Sequence, residues 1–269
     1  MLAGDFIESG IKFAKERKKV VDIYLEHVFL TEEQPRFRYY PIYGVEDLSS
    51  LLVRWTWCLR REKQHCPFSN VRFHYVDTRI MGGVVSAKLV DAALLSHSMF
   101  TSAEYITEWQ RVVTSEGMAK LIRLDKQLAA IRDDTLRLAL TKYWQSKVVD
   151  NIEWLKQATF DTWRSREGRT RLNHAFLSVM DCYAIGRILR SFAKTARYSE
   201  DPTYIIGYFG EAHRERYEDF FMNWVSGFDM IFKKSEVAEG RESGYMPPGT
   251  MHRCLDVPGF TWSMAFGLD

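Results

Sequence analysis

The segment that decides the fold class is TYIIGYF at 203–209, an uncharged run of β-branched and aromatic residues. Such a run is typical of a strand buried in a sheet. The segments at 20–25 and 71–76 are also rich in these residues, and helical patterns separate the three runs. Strands connected through helices lie parallel in one sheet. We therefore predict adjacent, parallel strands at Val20–Leu25, Val71–Val76 and Thr203–Phe209.

The middle of the chain, 84–198, has the periodicity of helices rather than of strands. Apolar residues recur at helical spacing through 118–166, which contains almost no helix breaker. A run much longer than about 25 residues predicts a kink or separate helices. The predicted fold class is therefore helix-rich α/β, a short and mainly parallel sheet flanked by helices. We expect a single α/β domain over 1–269, with 84–198 as a largely helical insertion.

Composition places the chain among ordinary globular proteins. Hydrophobic residues make up 46% and charged residues 27%, which excludes wholesale disorder and a fibrous repeat. The net charge is only +2, so bulk electrostatics give no reason to expect binding to nucleic acid. No uncharged apolar stretch reaches about 18 residues, and we expect no membrane span. The 4 cysteines form no CxxC motif and predict reduced thiols in an intracellular, reducing compartment.

Polar residues follow each of the predicted strands. Glu26 follows the first strand, His74 and Asp77 lie at the end of the second, and Glu211 follows the third. Because the carboxyl ends of parallel strands meet at one edge of a sheet, these side chains are expected to converge there. The candidate catalytic residues are Glu26, His74, Asp77, Arg79, Glu211 and His213.

Converging carboxylates and imidazoles suit a divalent metal ion or general acid–base chemistry. The candidate metal ligands are Glu26, Glu211 and His213, and the candidate cofactor is a divalent metal. Glu211 or Glu26 would act as general base or metal ligand, and His213 and His74 as second ligand or proton carrier. Arg79 would hold an anionic group of the ligand.

Each of these residues also has a structural interpretation. Glu211 would cap a helix, His74 would be a core histidine with satisfied hydrogen bonds, and Asp77 would pair with Arg79. The P-loop, Rossmann, nucleophile-elbow and zincin motifs are absent from the sequence, so those classes have no support.

Arg187 and Arg190 lie three residues apart and share one face of a predicted helix. They could meet a phosphate or a carboxylate at the strand edge, or form ordinary salt bridges. An unpaired buried charge costs on the order of several kcal/mol. We therefore predict that Asp77 or Glu26 bonds to an arginine, namely Arg79, Arg187 or Arg190.

The segments 22–26 and 66–79 resemble a pair of motifs that recurs in uncharacterised proteins of nucleocytoplasmic large DNA viruses, the giant-virus group. The segment MDCYAIGR at 180–187 is similar to that family's Asp-x-Tyr-x-x-x-Arg helix, and YIIGYFGEAH at 204–213 to its strand ending in Gly-x-x-His. RCLDV at 253–257 is similar as well. The resemblance implies a protein of the host cytoplasm or the virion, with viral proteins as partners.

The strand plan of that family is distantly similar to the erythromycin-esterase, ChaN and TraB group. That group places Glu and His after strands and includes metal-dependent proteases and esterases. The resemblance implies a hydrolase-like α/β protein acting on a small-molecule or peptide ligand. Members of the group usually open with a further strand ending in a Gly-Glu-x-His type motif, which is not found before Asp22. The alternative is a non-catalytic virion component or protein-interaction factor.

Overall fold

The computed structural model describes residues 3–25, 58, 67–76, 103–121, 124–190, 204–209 and 211–228. The strands of this part are β1 (Val21–Leu25), β2 (Val71–Tyr75) and β3 (Tyr204–Tyr208). Its α-helices are α1 (Ala3–Glu16), α2 (Ala103–Val113), α3 (Glu116–Leu121), α4 (Asp125–Ala129), α5 (Asp134–Trp144), α6 (Asp150–Gln157), α7 (Phe160–Arg164), α8 (Arg166–Leu189) and α9 (Glu211–Asp219). Two π-helical turns, Gln145–Val149 and Phe220–Trp224, directly follow α5 and α9.

β1 is the central strand of a parallel sheet of three strands in the order β2-β1-β3. The predicted parallel pairing and the helix-rich α/β fold class are both confirmed. All five residues of β1 are buried, as expected when packing covers both faces of a parallel strand.

The two faces of the sheet differ in chemistry. The odd-numbered residues of β1 pack with α1 in an apolar cluster. Asp22 and Tyr24 alternate with those residues and therefore lie on the opposite face. The register places Arg72 beside Asp22, and His74 beside Tyr24. One face of the sheet thus carries a buried set of polar side chains.

Helices predominate at 103–121 and 124–190, the described part of the predicted helical insertion, as its periodicity predicts. The predicted run 118–166 is divided among several helices. One break is at 130–133, where the carboxylate of Asp133 accepts from two backbone N–H groups at the start of α5. A second break precedes α7, where Thr159 caps the helix. The longest described helix is α8, with 24 residues, and its buried side lies in the main apolar cluster together with Tyr24 of the sheet.

Candidate functional site

A buried carboxylate lies in the middle of the sheet. Asp22 of β1 is fully buried. Its Oδ1 accepts from Nε of Arg72 at 2.5 Å, and its Oδ2 accepts from Nη2 of the same guanidinium at 3.0 Å. Two-point pairing with arginine provides charge and hydrogen bonds that offset the cost of removing a carboxylate from water.

His74 connects this carboxylate to helix α8. Its Nε2 lies 3.0 Å from Oδ2 of Asp22, and its Nδ1 lies 3.0 Å from Nη2 of Arg187. A guanidinium only donates hydrogen bonds, so Nδ1 accepts and the hydrogen of the neutral ring is on Nε2, towards Asp22. Burial lowers the pKa of His74 below its usual 6.5, so the imidazole is neutral at pH 7. We call Arg72, Asp22, His74 and Arg187 the Asp22 network.

Tyr24 holds the same arginine by its backbone. Its ring stacks on that of His74 with 4.5 Å between centroids, and its hydroxyl donates to the carbonyl oxygen of Arg187 at 3.0 Å. Burial, and secondarily the charge of Asp22, raise the pKa of the Tyr24 hydroxyl, so it remains a donor. Sheet side chains therefore hold both the backbone and the guanidinium of Arg187.

Positive charge is concentrated around this contact. Arg187 lies in the last turn of α8, where a cation interacts favourably with the helix dipole. Burial lowers the pKa of the adjacent Arg190, and the positive charges of Arg187 and Arg72 lower it further. Guanidinium groups in this arrangement suit the binding of a phosphate or a carboxylate.

A second aspartate–histidine pair joins α8 to α9. Asp181 is fully buried, and its Oδ1 lies 2.6 Å from Nδ1 of the buried His213. Nε of Arg216 lies 3.6 Å from Oδ2 of the same carboxylate. Burial raises the pKa of Asp181 above its usual value, and the hydrogen bond from His213 offsets only part of this rise. Because α9 follows β3 closely, His213 lies near the carboxyl end of that strand.

The predicted site residues are only partly described. His74 and His213 belong to two separate pairs, each with its own aspartate. Glu211 is the first residue of α9, and its side chain lies outside the described part of the structure. Glu26, Asp77 and Arg79 also lie outside it, so the predicted bond from Asp77 or Glu26 to an arginine stays a prediction. Among the residues that the structure describes, no group of three or more His, Cys, Asp or Glu side chains could hold a metal ion.

Sequence reasoning missed Asp22, Arg72 and the role of Asp181. Asp22 and Arg72 each interrupt a strand-like run, and a charge inside a buried strand requires a partner. That interruption is the signal that could have found them. Asp181 and His213 are 32 residues apart, and no local pattern in the sequence connects them.

The fold and the site define a helix-rich α/β protein whose parallel sheet carries a buried aspartate–histidine–arginine network. Comparison of the chain with protein-family models, curated proteins and solved structures finds no match. The resemblance to the giant-virus family and to the esterase group therefore stays a prediction. Of the described helices, none combines the length and the apolar character needed to cross a membrane.

Protonation of His74 should make stability depend on pH. Because the pKa of His74 is lower in the folded protein than in the unfolded chain, only the unfolded chain gains a proton as the pH first falls below about 6.5. Stability is therefore lost on acidification from that pH, by up to about 1.4 kcal/mol per pH unit for one proton. Urea unfolding of the wild type and of His74→Gln between pH 5 and 8 measures this slope. Gln can donate to Asp22 and accept from Arg187 but does not titrate, so His74→Gln should flatten the dependence of the unfolding free energy on pH. An unchanged dependence would exclude His74 as its source.

The cysteines differ from the prediction of four reduced thiols. Cys182 is a free, buried thiol, whose pKa burial raises well above its usual value. Cys58 is buried and disulfide-bonded, to a partner outside the described residues. The prediction of reduced thiols throughout is therefore wrong for Cys58.

Thiol mapping checks this assignment. Iodoacetamide labelling of the protein unfolded without reductant should modify Cys182 and leave Cys58 unmodified, because a disulfide sulfur cannot be alkylated. Labelling after reduction should modify both residues, and peptide mass spectrometry would identify the partner of Cys58. Full modification of Cys58 without reductant would contradict the disulfide.

Proposed function

We propose that the chain is a hydrolase-like α/β protein whose substrate carries an anionic group bound by Arg187 at the carboxyl edge of the sheet. The observation that carries the proposal is the Asp22 network, in which a buried carboxylate fixes His74 and His74 contacts the guanidinium of Arg187. Ligand sites of open parallel sheets lie at the carboxyl ends of the strands. Preorganised charged groups bind a substrate with less ordering cost than mobile ones.

The two histidines have different roles in this proposal. Both ring nitrogens of His74 lie within 3.0 Å of side chains of the network, so His74 acts as a positioning residue for Arg187. Nδ1 of His213 is engaged by Asp181, which orients the ring, and the proposal assigns proton transfer to Nε2. A carboxylate that orients an imidazole in this way is typical of a general base.

The same pair also fits a metal-bound histidine. Ligating histidines commonly donate their second ring N–H to a carboxylate, which fixes the ring orientation. His213 would coordinate through Nε2, with Asp181 behind it and Glu26 and Glu211 as the other proposed ligands. A divalent metal would supply an activated water or polarise the scissile bond.

A hydrolase panel tests the proposal. Purified protein is incubated with phosphate monoesters, carboxylate-bearing esters and peptides, each with and without added Mg²⁺, Mn²⁺ or Zn²⁺. For the substrate class that is hydrolysed, we expect Arg187→Gln to raise KM at least about tenfold, because the charged contact to the anionic group of the substrate is lost. His213→Gln should lower kcat by about 10²-fold or more.

Arg111→Gln is the matched control for these variants, since Arg111 is an exposed arginine paired with Glu108 on α2. It should leave both kinetic constants unchanged. Equal values of kcat and KM for the wild type, Arg187→Gln and His213→Gln would exclude this site as the place of hydrolysis. No hydrolysis under any condition would favour the alternative, a non-catalytic viral protein that serves as a virion component or an interaction factor. The resemblance to giant-virus proteins supports the host cytoplasm or the virion as the proposed location in either case.

A further inference from the structure

An open groove lies beside α6 and α8. It has a volume of about 590 Å³, within the range of roughly 300–1,000 Å³ that is typical of small-molecule sites. None of its residues belongs to the Asp22 network or to the Asp181–His213 pair. Its lining residues are Asn151, Arg166, Glu167, Thr170, Arg171 and His174.

The groove is electropositive around His174. His174 lies at the surface, and partial desolvation of its ring lowers its pKa, which the positive charges of Arg216, Lys147 and Arg171 each lower further. The carboxylates near these cations already have local partners. Glu167 accepts from Arg171 at 3.0 Å, and Asp219 lies 3.2 Å from Nζ of Lys147. Although these cations have carboxylate partners, every charge that shifts the pKa of His174 is positive, so an anion placed at its ring would meet a favourable potential.

Arg171 is held rigidly in this groove. Besides its contacts to Glu167, its Nη1 donates to Oδ1 of Asn151 at 3.3 Å, and its guanidinium carbon lies 4.6 Å from the ring centroid of Trp154. Asn151 is itself buried and donates to two carbonyl oxygens of the π-helical turn. A guanidinium fixed on several sides loses little further freedom when a ligand binds.

Helix stability does not account for the presence of Arg166 in the groove. Arg166 is the first residue of α8, where the helix dipole disfavours a cation. The hydroxyl of Ser165 accepts from the N–H of Gly168 at 3.2 Å, so the first turn of α8 has a capping side chain. The groups available to a ligand are side chains of the groove, including the Thr170 hydroxyl and the His174 imidazole.

We propose that this groove binds the phosphate group of a small phosphorylated ligand through Arg166, Thr170, Arg171 and His174. Arginine, hydroxyl and imidazole donors are the groups that bind phosphate oxygens. The volume of the groove accommodates a ligand of nucleotide size. The proposal is independent of the hydrolase proposal, because the two rest on different residues.

Titration of His174 by NMR tests this inference. The C2 proton of His174 is followed from pH 5 to 8 without added anion, with inorganic phosphate, with ADP, and with sodium chloride at matched ionic strength. A phosphate bound at the groove stabilises the imidazolium, so we expect phosphate or ADP to raise the pKa of His174 by about half a unit or more. A larger effect of ADP than of phosphate shows that the groove binds more of the ligand than one phosphate group, and equal effects identify the phosphate group alone.

Two variants complete the test by isothermal titration calorimetry. Arg171→Gln should weaken phosphate or ADP binding at least about tenfold, since the neighbouring Glu167 is then uncompensated. Arg111→Gln, at an exposed ion pair on α2, should leave the affinity unchanged. The inference is overturned if neither phosphate nor ADP shifts the pKa of His174 in the wild type, if chloride shifts it equally, or if Arg171→Gln binds as the wild type does.

Discussion

Asp22→Asn is expected to lower the free energy of unfolding by about 3–5 kcal/mol, because it leaves the buried charge of Arg72 without its counter-ion. Asn has nearly the same shape as Asp, but its Nδ2 cannot accept a hydrogen bond from Arg72 or His74. The expected loss therefore combines the missing charge with the lost hydrogen bonds. Urea or guanidinium unfolding monitored by circular dichroism measures the change. Asp134→Asn is the matched control: the Asp134 side chain is 83% exposed and paired with Arg137, and its loss should cost less than about 1 kcal/mol.

A double variant separates the buried pair from general damage to the sheet. Asp22→Leu together with Arg72→Leu removes both charges at once. A buried ion pair replaced by apolar residues often costs little, whereas removal of one partner costs much. We therefore expect the double variant to be clearly more stable than the sum of the single changes predicts. Additive losses, or a loss below about 1 kcal/mol for Asp22→Asn, would contradict a buried ion pair at this position.

Gly168→Ala is expected to destabilise the protein by about 2–3 kcal/mol, although alanine is the better helix former by about 1 kcal/mol. A Cβ atom at Gly168 would collide with the carbonyl oxygen of Thr162 and would lie 2.8 Å from Cα of Trp163. Both are backbone atoms at α7, and they cannot rotate away. The sign of the change in unfolding free energy thus distinguishes close helix packing from helix propensity.

Gly186→Ala in the same helix is the matched control. Its Cβ would lie 3.0 Å from the Cβ of Gln127, a side-chain atom on the short helix α4. We expect a change within about 1 kcal/mol, since a small shift of α4 competes with the gain in helix propensity. Stabilisation of the protein by Gly168→Ala would show that α7 and α8 do not approach this closely.

The sheet was predictable because its strands are short runs of β-branched and aromatic residues between helical segments. Those runs determine the parallel pairing through the connections they require. The strand ends also predicted a polar site that contains His74 and His213, and this site stays a prediction. In the structure each histidine contacts an aspartate of its own.

The partners of these histidines could not be predicted in the same way. Asp22 and Arg72 are 50 residues apart in the chain and meet only because β1 and β2 pair in one particular register. A shift of one residue would place Arg72 on the other face of the sheet. For Arg187 the helix pattern predicts a phosphate contact or a salt bridge, and the structure gives an imidazole nitrogen as a partner. Local sequence patterns do not encode such tertiary contacts.

His74 is the neutral side chain that connects Asp22 to Arg187, and the proposed positioning of Arg187 depends on it. ¹⁵N NMR of the imidazole nitrogens at pH 7 tests it directly, because protonated and unprotonated ring nitrogens differ widely in chemical shift. We predict a neutral ring with its hydrogen on Nε2 and an unprotonated Nδ1. The ring should stay neutral when the pH falls below 6.5, because burial lowers the pKa of His74 from that usual value. A doubly protonated ring at pH 7, or a hydrogen on Nδ1, would contradict the contact with Arg187 and the proposed positioning of its guanidinium.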